Sequence, residues 1–79
     1  MKTIDWKEHI SSDPKILFGK PVVKGTRVPV DLILEKLGRG ELIEQLLKAY
    51  PRITKESIYA CLMFAAQSVK NEVVIAMAA

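Results

Sequence analysis

The 79-residue chain has an ordinary composition, 49% hydrophobic and 27% charged, and twelve basic against nine acidic residues give it a net charge of +3. This length predicts one domain, residues 1–79, with a small core, and the modest positive charge permits contact with nucleic acid without requiring it. A single cysteine, Cys61, excludes an intrachain disulfide. Because the sequence has no apolar run of about 18 residues and no signal-peptide pattern, we expect a cytoplasmic protein that does not enter a membrane.

Most of the positive charge lies in the N-terminal region, residues 1–28, which we expect to form a strand and hairpin. Between residues 1 and 27, six basic and three acidic residues leave an excess of +3. Two β-branched segments flank Lys24-Gly25, and glycine supplies the positive φ that a tight hairpin turn needs. Pro21 and Pro29 bracket this hairpin, since proline cannot donate to a strand ladder.

The body, residues 29–69, is predicted to hold three helices. Pro29 suits the start of the first helix, which ends at Gly38 and Gly40. The second helix stops before Pro51. The apolar spacing of these two helices predicts their buried faces: Val30, Ile33, Leu34 and Leu37 in the first, and Leu42, Ile43, Leu46 and Leu47 in the second.

The third helix is predicted from Thr54, a good N-cap residue, to about position 69 or 71. Its expected core face is Ile58, Leu62, Ala65, Ala66 and Val69, and its expected outer face is Glu56, Ser57, Ala60, Phe64, Gln67 and Asn71. A turn of about four residues, 50–53, joins the second helix to the third. The predicted fold is therefore mainly α, a three-helix helix-turn-helix bundle with a short N-terminal β-hairpin.

Nucleic-acid binding is one function that this arrangement favours. The expected outer face of the third helix carries no arginine or lysine, so it is a poor reader of base edges. Contacts to phosphate are better supported, on the hairpin and at the start of the third helix. The candidate residues are Lys20, Lys24, Arg27, Arg52, Thr54, Lys55 and Ser57. The alternatives are a solvated hairpin edge, and an ion pair of Arg27 with Asp31 or Glu35.

Catalysis and cofactor binding find no support in the residue pattern. His9 and Cys61 stand alone, whereas a metal site needs three or four ligands. The segment from Phe18 to Val30 lacks the spacing of a phosphate-binding loop. No nucleophile is paired with a base. We therefore expect no enzymatic activity, no metal and no cofactor.

The tail, residues 70–79, is apolar from Val73 onward, as either helix or strand. Such a segment can add as a strand to the sheet edge of another protein, and it can also dock on its own core. The candidate partner-binding residues are Phe64, Val73, Val74, Ile75 and Met77. Because a core of this size is marginal alone, a homodimer is also expected.

The segment from Ile10 to Ala66 closely resembles the prokaryotic family known as domain of unknown function 433. The resemblance rests on Asp13-Pro14, on Gly19 to Val30 ("GKPVVKGTRVPV"), and on Tyr50-Pro51 with Thr54 and Ile58. One departure is Phe18, where relatives often have glycine.

This resemblance implies a homeodomain-like three-helix fold and an antitoxin-like role. The implied partner is a PIN-like ribonuclease toxin, which the antitoxin would neutralise, and the implied DNA target is the operator of the shared promoter. Two alternatives stay open from the residues themselves. One is a stand-alone helix-turn-helix regulator, and the other is an oligomerisation module that binds no nucleic acid.

Overall fold

A computed structural model describes residues 4–71, and it confirms the predicted fold class. Two short strands and three helices are joined by tight turns. The strands are β1 (Ile10–Ser11) and β2 (Val22–Val23), and the helices are α1 (Val30–Gly38), α2 (Ile43–Ala49) and α3 (Lys55–Asn71). Two 3₁₀ turns, at Trp6–Glu8 and Leu17–Gly19, precede β1 and β2. None of the helices within this range combines the length and the hydropathy needed to cross a bilayer.

The strand partner of β2 differs from the one that the local sequence predicts. Val23 pairs with Ile10 and Val22 with Ser11, in an antiparallel register. The chain after Gly25 also turns back, since Val23 N–H donates to the Val28 carbonyl (2.9 Å), but only a bridge between Val22 and Pro29 follows. Because Pro29 has no N–H, it cannot extend a ladder on this side, and β1 supplies the paired strand instead.

The 3₁₀ turn before β2 explains why glycine suits position 18. Leu17 and Phe18 have positive φ values of 49° and 58°, and Gly19 follows at 83°. Left-handed backbone costs a residue with a Cβ about 1–3 kcal/mol, a cost that glycine avoids. The turn also leaves the Phe18 side chain fully exposed.

The first two helices follow their predicted faces with one exception. Val30, Ile33 and Leu46 are buried, whereas Leu42 is 60% exposed. The assignment of Leu42 to the core was wrong because α2 begins at Ile43, which leaves Leu42 as the N-cap residue outside the helix. Leu42 instead donates its backbone N–H to Gln45 Oε1 (2.7 Å), which caps the start of α2.

The burial pattern of α3 corrects the predicted core face. Ser57, Ile58, Ala60 and Cys61 are buried, whereas three predicted core residues, Leu62, Ala66 and Val69, are exposed. The cause is a contact between distant parts of the chain, since the Trp6–Glu8 turn packs on the face predicted to be solvated. The rings of Trp6 and Phe64 meet edge to face with their centroids 5.0 Å apart.

One apolar cluster joins the strands to all three helices. Its buried members are Ile10, Val23, Val30, Ile33, Leu46, Ile53, Ile58, Ala60 and Cys61. Burial raises the pKa of the Cys61 thiol to about 11, so the side chain serves as a small neutral apolar group.

Candidate functional site

The turn that carries Lys24 and Arg27 is held by a dense set of hydrogen bonds. Gly25 has a φ of 79°, which lets the Thr26 N–H reach the Val23 carbonyl at 3.0 Å. The Thr26 hydroxyl donates to the same carbonyl (2.7 Å) and accepts from the Val28 N–H (3.0 Å). Lys24 N–H donates to the His9 carbonyl at 2.8 Å, so the N-terminal segment also fixes the turn.

Arg52 lies in the turn between α2 and α3. Ile53 N–H donates to the Tyr50 carbonyl (2.9 Å), which closes the turn, and the Ile53 side chain is buried in the core. Pro51 supplies the restricted φ that suits the first central position of such a turn. Arg52 follows it and is exposed. The sequence of this turn thus anchors its backbone and leaves the guanidinium on the surface.

The fold brings these two turns together around Arg52, which lines two adjoining clefts. The larger cleft, about 460 Å³, is lined by Ser11, Ile16, Gly25, Thr26, Arg27 and Arg52. The smaller one, about 270 Å³, is lined by Glu8, His9, Val23, Lys24, Arg52, Thr54 and Ser57. We call the surface formed by Lys24, Arg27 and Arg52 the basic cleft. Two turns more than twenty residues apart therefore present their cations on one surface.

The cations of the basic cleft differ from Lys20, another predicted contact residue, in their ion pairing. Ion pairs among residues 4–71 join Lys20 to Asp31 (2.9 Å), Lys36 to Glu41 and Arg39 to Glu35. Lys24, Arg27 and Arg52 belong to none of these, although the Glu8 carboxylate lines the smaller cleft beside two of them. The charge of Lys20 is therefore offset by Asp31 in the first turn of α1, whereas the basic cleft keeps most of its positive charge.

The alternative ion pairs of Arg27 do not form within the described part of the chain. Asp31 is bonded to Lys20, and Glu35 is bonded to Arg39. Arg27 instead lies exposed at the rim of the larger cleft. This position disfavours the ion-pair alternative, and it is compatible both with phosphate contact and with a solvated hairpin edge.

Thr54 and Ser57, two of the predicted contact residues, bond mainly to each other. Ser57 N–H donates to the Thr54 hydroxyl (3.1 Å), and Thr54 N–H donates to the Ser57 hydroxyl (3.0 Å). The Ser57 hydroxyl also donates to the Thr54 carbonyl (2.7 Å), and Ser57 is buried. This reciprocal cap fixes the start of α3. Ser57 is therefore not placed to contact a ligand through its side chain, and Thr54 lines the cleft as a cap.

The remaining predicted residues lie away from the basic cleft. Lys55 is exposed in the first turn of α3 but lines neither cleft. Phe64 is half-buried against Trp6, which covers part of the surface predicted for a partner. Val73, Val74, Ile75 and Met77 lie outside the described residues, and their partner role stays a prediction.

Sequence reasoning missed several lining residues, among them Glu8, His9, Ser11, Ile16 and Thr26. Thr26 had a local signal, since a hydroxyl residue directly after a glycine turn often bonds back to the turn backbone. Ser11 and Ile16 reach the cleft only through the pairing of β1 with β2, for which the local sequence gives no signal. Among residues 4–71, no three potential metal-ligating side chains of His, Cys, Asp or Glu come together.

A three-helix body, a five-residue connection from α2 to α3 and an N-terminal antiparallel strand pair define a small helix-turn-helix type of domain. Residues 10–65 match the family described as "Protein of unknown function (DUF433)", and the chain belongs to this family. The fold is also similar to the crystal structure of a DUF433 member from Anabaena variabilis. That likeness has a TM-score of 0.73 with 26% sequence identity, and it covers 78% of this chain and 61% of the crystallised chain.

Two sequence relatives extend the comparison. "Uncharacterized protein y4eO" of Sinorhizobium fredii is 39% identical over 59 residues, which are 75% of this chain and 27% of that protein. An "Uncharacterized protein" of Archaeoglobus fulgidus is 58% identical over 24 residues, 30% of this chain and 67% of that protein. The chain thus spans about a quarter of the Sinorhizobium relative and about three fifths of the Anabaena structure.

Proposed function

We propose that this protein is an antitoxin-like regulator that binds operator DNA through the basic cleft and neutralises a PIN-like ribonuclease. The observation that carries the DNA half is the convergence of Lys24, Arg27 and Arg52 on one surface beside the start of α3. In a helix-turn-helix protein the N-terminal end of the motif's second helix, here α3, enters the major groove, so cations on turns beside that end would lie near the flanking phosphates. Arginine side chains suit phosphate because their fork of N–H donors matches its oxygens.

Phosphate contact accounts better for these residues than base reading does. The cations sit on turns, and the first residues of α3 form a cap that engages Thr54 and Ser57. Contacts to phosphate fix the position of a protein on the duplex and depend strongly on salt. We therefore expect binding with a steep salt dependence and a modest preference for sequence.

The DNA half is tested by fluorescence anisotropy with the duplex upstream of the protein's own gene, titrated at several salt concentrations. Arg52→Gln and Arg27→Gln should each weaken binding about tenfold near 0.1 M salt and lower the salt slope by about 1. Arg39→Gln is the matched control, because it removes the same charge from the C-terminal end of α1, outside both clefts, and it should bind like the parent protein. Equal losses in all three variants would show that only net charge matters and would contradict a defined site.

The toxin half rests on the family resemblance and on the apolar tail. A neighbouring reading frame for a PIN-like nuclease is the expected genomic context, and co-expression of the two proteins should restore growth. Deletion of residues 73–79 should abolish the rescue while DNA binding through the basic cleft remains. Full rescue by the truncated chain would place the partner surface elsewhere.

A stand-alone DNA-binding regulator is the second candidate function, and the same basic cleft favours it. It predicts the same salt dependence with no ribonuclease partner. The third reading, an oligomerisation module without nucleic acid, predicts no change in anisotropy even at low salt. The anisotropy and rescue measurements together separate all three.

A further inference from the structure

An apolar stripe runs along the exposed side of α3. Tyr59, Leu62, Met63, Ala66 and Val69 are all exposed, with Leu62 and Met63 at 43% and Val69 at 65%. The body of the chain packs on the other side of the helix, through Ile58, Cys61 and Phe64. We call these five exposed residues the α3 stripe. Five neighbouring apolar side chains on one helix form a patch of the kind that marks an interaction surface.

The spacing of the α3 stripe is that of a helix that pairs with another helix. Four of its members form a seam with the alternating three- and four-residue spacing of paired helices: Tyr59, Leu62, Ala66 and Val69. Met63 lies beside this seam. Glu56, Met63 and Lys70 are spaced by seven residues and flank it on one side.

We propose that a second copy of this chain covers the α3 stripe as an antiparallel helix pair. In that register Leu62 lies opposite Ala66 of the second copy, and Tyr59 lies opposite Val69. Each large side chain meets a smaller one, which suits close packing. The two Met63 side chains meet near the two-fold axis, as an isologous interface requires.

The flanking charges select the antiparallel direction. Glu56 and Lys70 are seven residues to either side of Met63, so each Glu56 meets Lys70 of the second copy, at both ends of the pair. Both side chains are exposed and take part in no ion pair among residues 4–71. A parallel pair would place like charges at the same ends. The complementarity of these two residues identifies the occupant as this same chain.

The first test is the mass of the full chain by analytical ultracentrifugation. The parent protein should be a dimer, and Leu62→Glu should make it monomeric, because the two carboxylates, one from each copy, would be buried with no cation opposite them. Leu42→Glu is the matched control, since Leu42 is equally an exposed leucine but lies outside the stripe, and it should remain dimeric. Circular dichroism shows whether each variant keeps its helices.

The second test reads the direction of the pair. Glu56→Lys and Lys70→Glu should each weaken the dimer about tenfold, and the double exchange should restore it, since the pairs re-form with reversed charge. Leu62→Cys with Ala66→Cys should give a covalent dimer under oxidation, whereas Leu62→Cys alone should not. Buried Cys61 stays outside this reaction.

Several outcomes overturn the proposal. The proposal is wrong if the parent protein is monomeric at every concentration. It is also wrong if Leu62→Glu has the same mass in solution as the parent. Cross-linking by Leu62→Cys alone would show a parallel pair. A monomer whose stripe variants lose a ribonuclease partner would assign the stripe to that partner. None of these results bears on DNA binding by the basic cleft, so the two proposals fail separately.

Discussion

The two sides of α3 both carry apolar residues but differ in what covers them. On one side Ile58, Cys61 and Phe64 pack against the strands, the other helices and Trp6. On the other side the α3 stripe lies exposed over about three turns. The difference shows that apolar character alone does not decide which face of a helix becomes core. Contacts from distant segments, here the Trp6–Glu8 turn, make that choice.

The largest expected effect on stability comes from truncating one residue on each side of α3. Ile58→Ala should lower the free energy of unfolding by about 2–5 kcal/mol, because it leaves a cavity in a fully buried site. Leu62→Ala should cost less than about 1 kcal/mol when measured at low protein concentration, since much of this side chain is already exposed. Urea denaturation of both variants measures the contrast. Similar losses would mean that the stripe is packed within a single chain.

A smaller effect on stability is expected from removing hydroxyl groups near the two ends of α3. Thr54→Ala should cost about 1 kcal/mol, because it removes the hydroxyl that caps the Ser57 N–H. Ser68→Ala removes a hydroxyl that bonds to the Phe64 carbonyl (2.9 Å) in the helix interior, and it should be neutral or slightly stabilising. Thermal unfolding of the two variants gives the sign of each change. A loss from Ser68→Ala as large as that from Thr54→Ala would contradict the assigned cap.

The last effect concerns the covered side alone, is absent at neutral pH and appears only at alkaline pH. The folded pKa of Cys61, about 11, lies above the ordinary value of 9.0. Above about pH 9 the unfolded chain therefore loses the thiol proton while the folded chain keeps it, so stability falls between about pH 9 and 11. Cys61→Ala should show a shallower decline over this window than the parent. Parallel pH profiles for the two proteins would indicate that the thiol is open to solvent.

The helices were predictable because their signals are local. Pro29 and Pro51, the glycines at the end of α1 and the cap residue Thr54 mark boundaries within one or two residues of those observed. The face of α3 that is buried was not predictable from the apolar periodicity of its sequence. Apolar residues occupy both its sides, and small residues such as Ala60 and Cys61 are buried because the Trp6–Glu8 turn approaches closely.

The candidate site likewise has features that the sequence predicts and features that only the structure reveals. Lys24, Arg27 and Arg52 were recognisable as exposed cations on turns, and the structure places them together. Their convergence, like the ion pair that joins Lys20 to Asp31, depends on contacts between segments that are separated in the sequence. The pairing of β1 with β2 is of the same kind, since the glycine turn favours a local hairpin and the observed partner lies a dozen residues earlier.

The hydrogen-bonded turn around Gly25 has a consequence for the kinetics of recognition. Its backbone is already ordered by Thr26 and by the His9 carbonyl, so the conformational entropy of this loop is lost during folding and not at the moment of encounter. A ligand that meets Arg27 therefore finds a rigid surface. For the proposed DNA ligand, association would then be governed by diffusion and by the long-range field of the cations, with no slow loop rearrangement between first contact and the bound state.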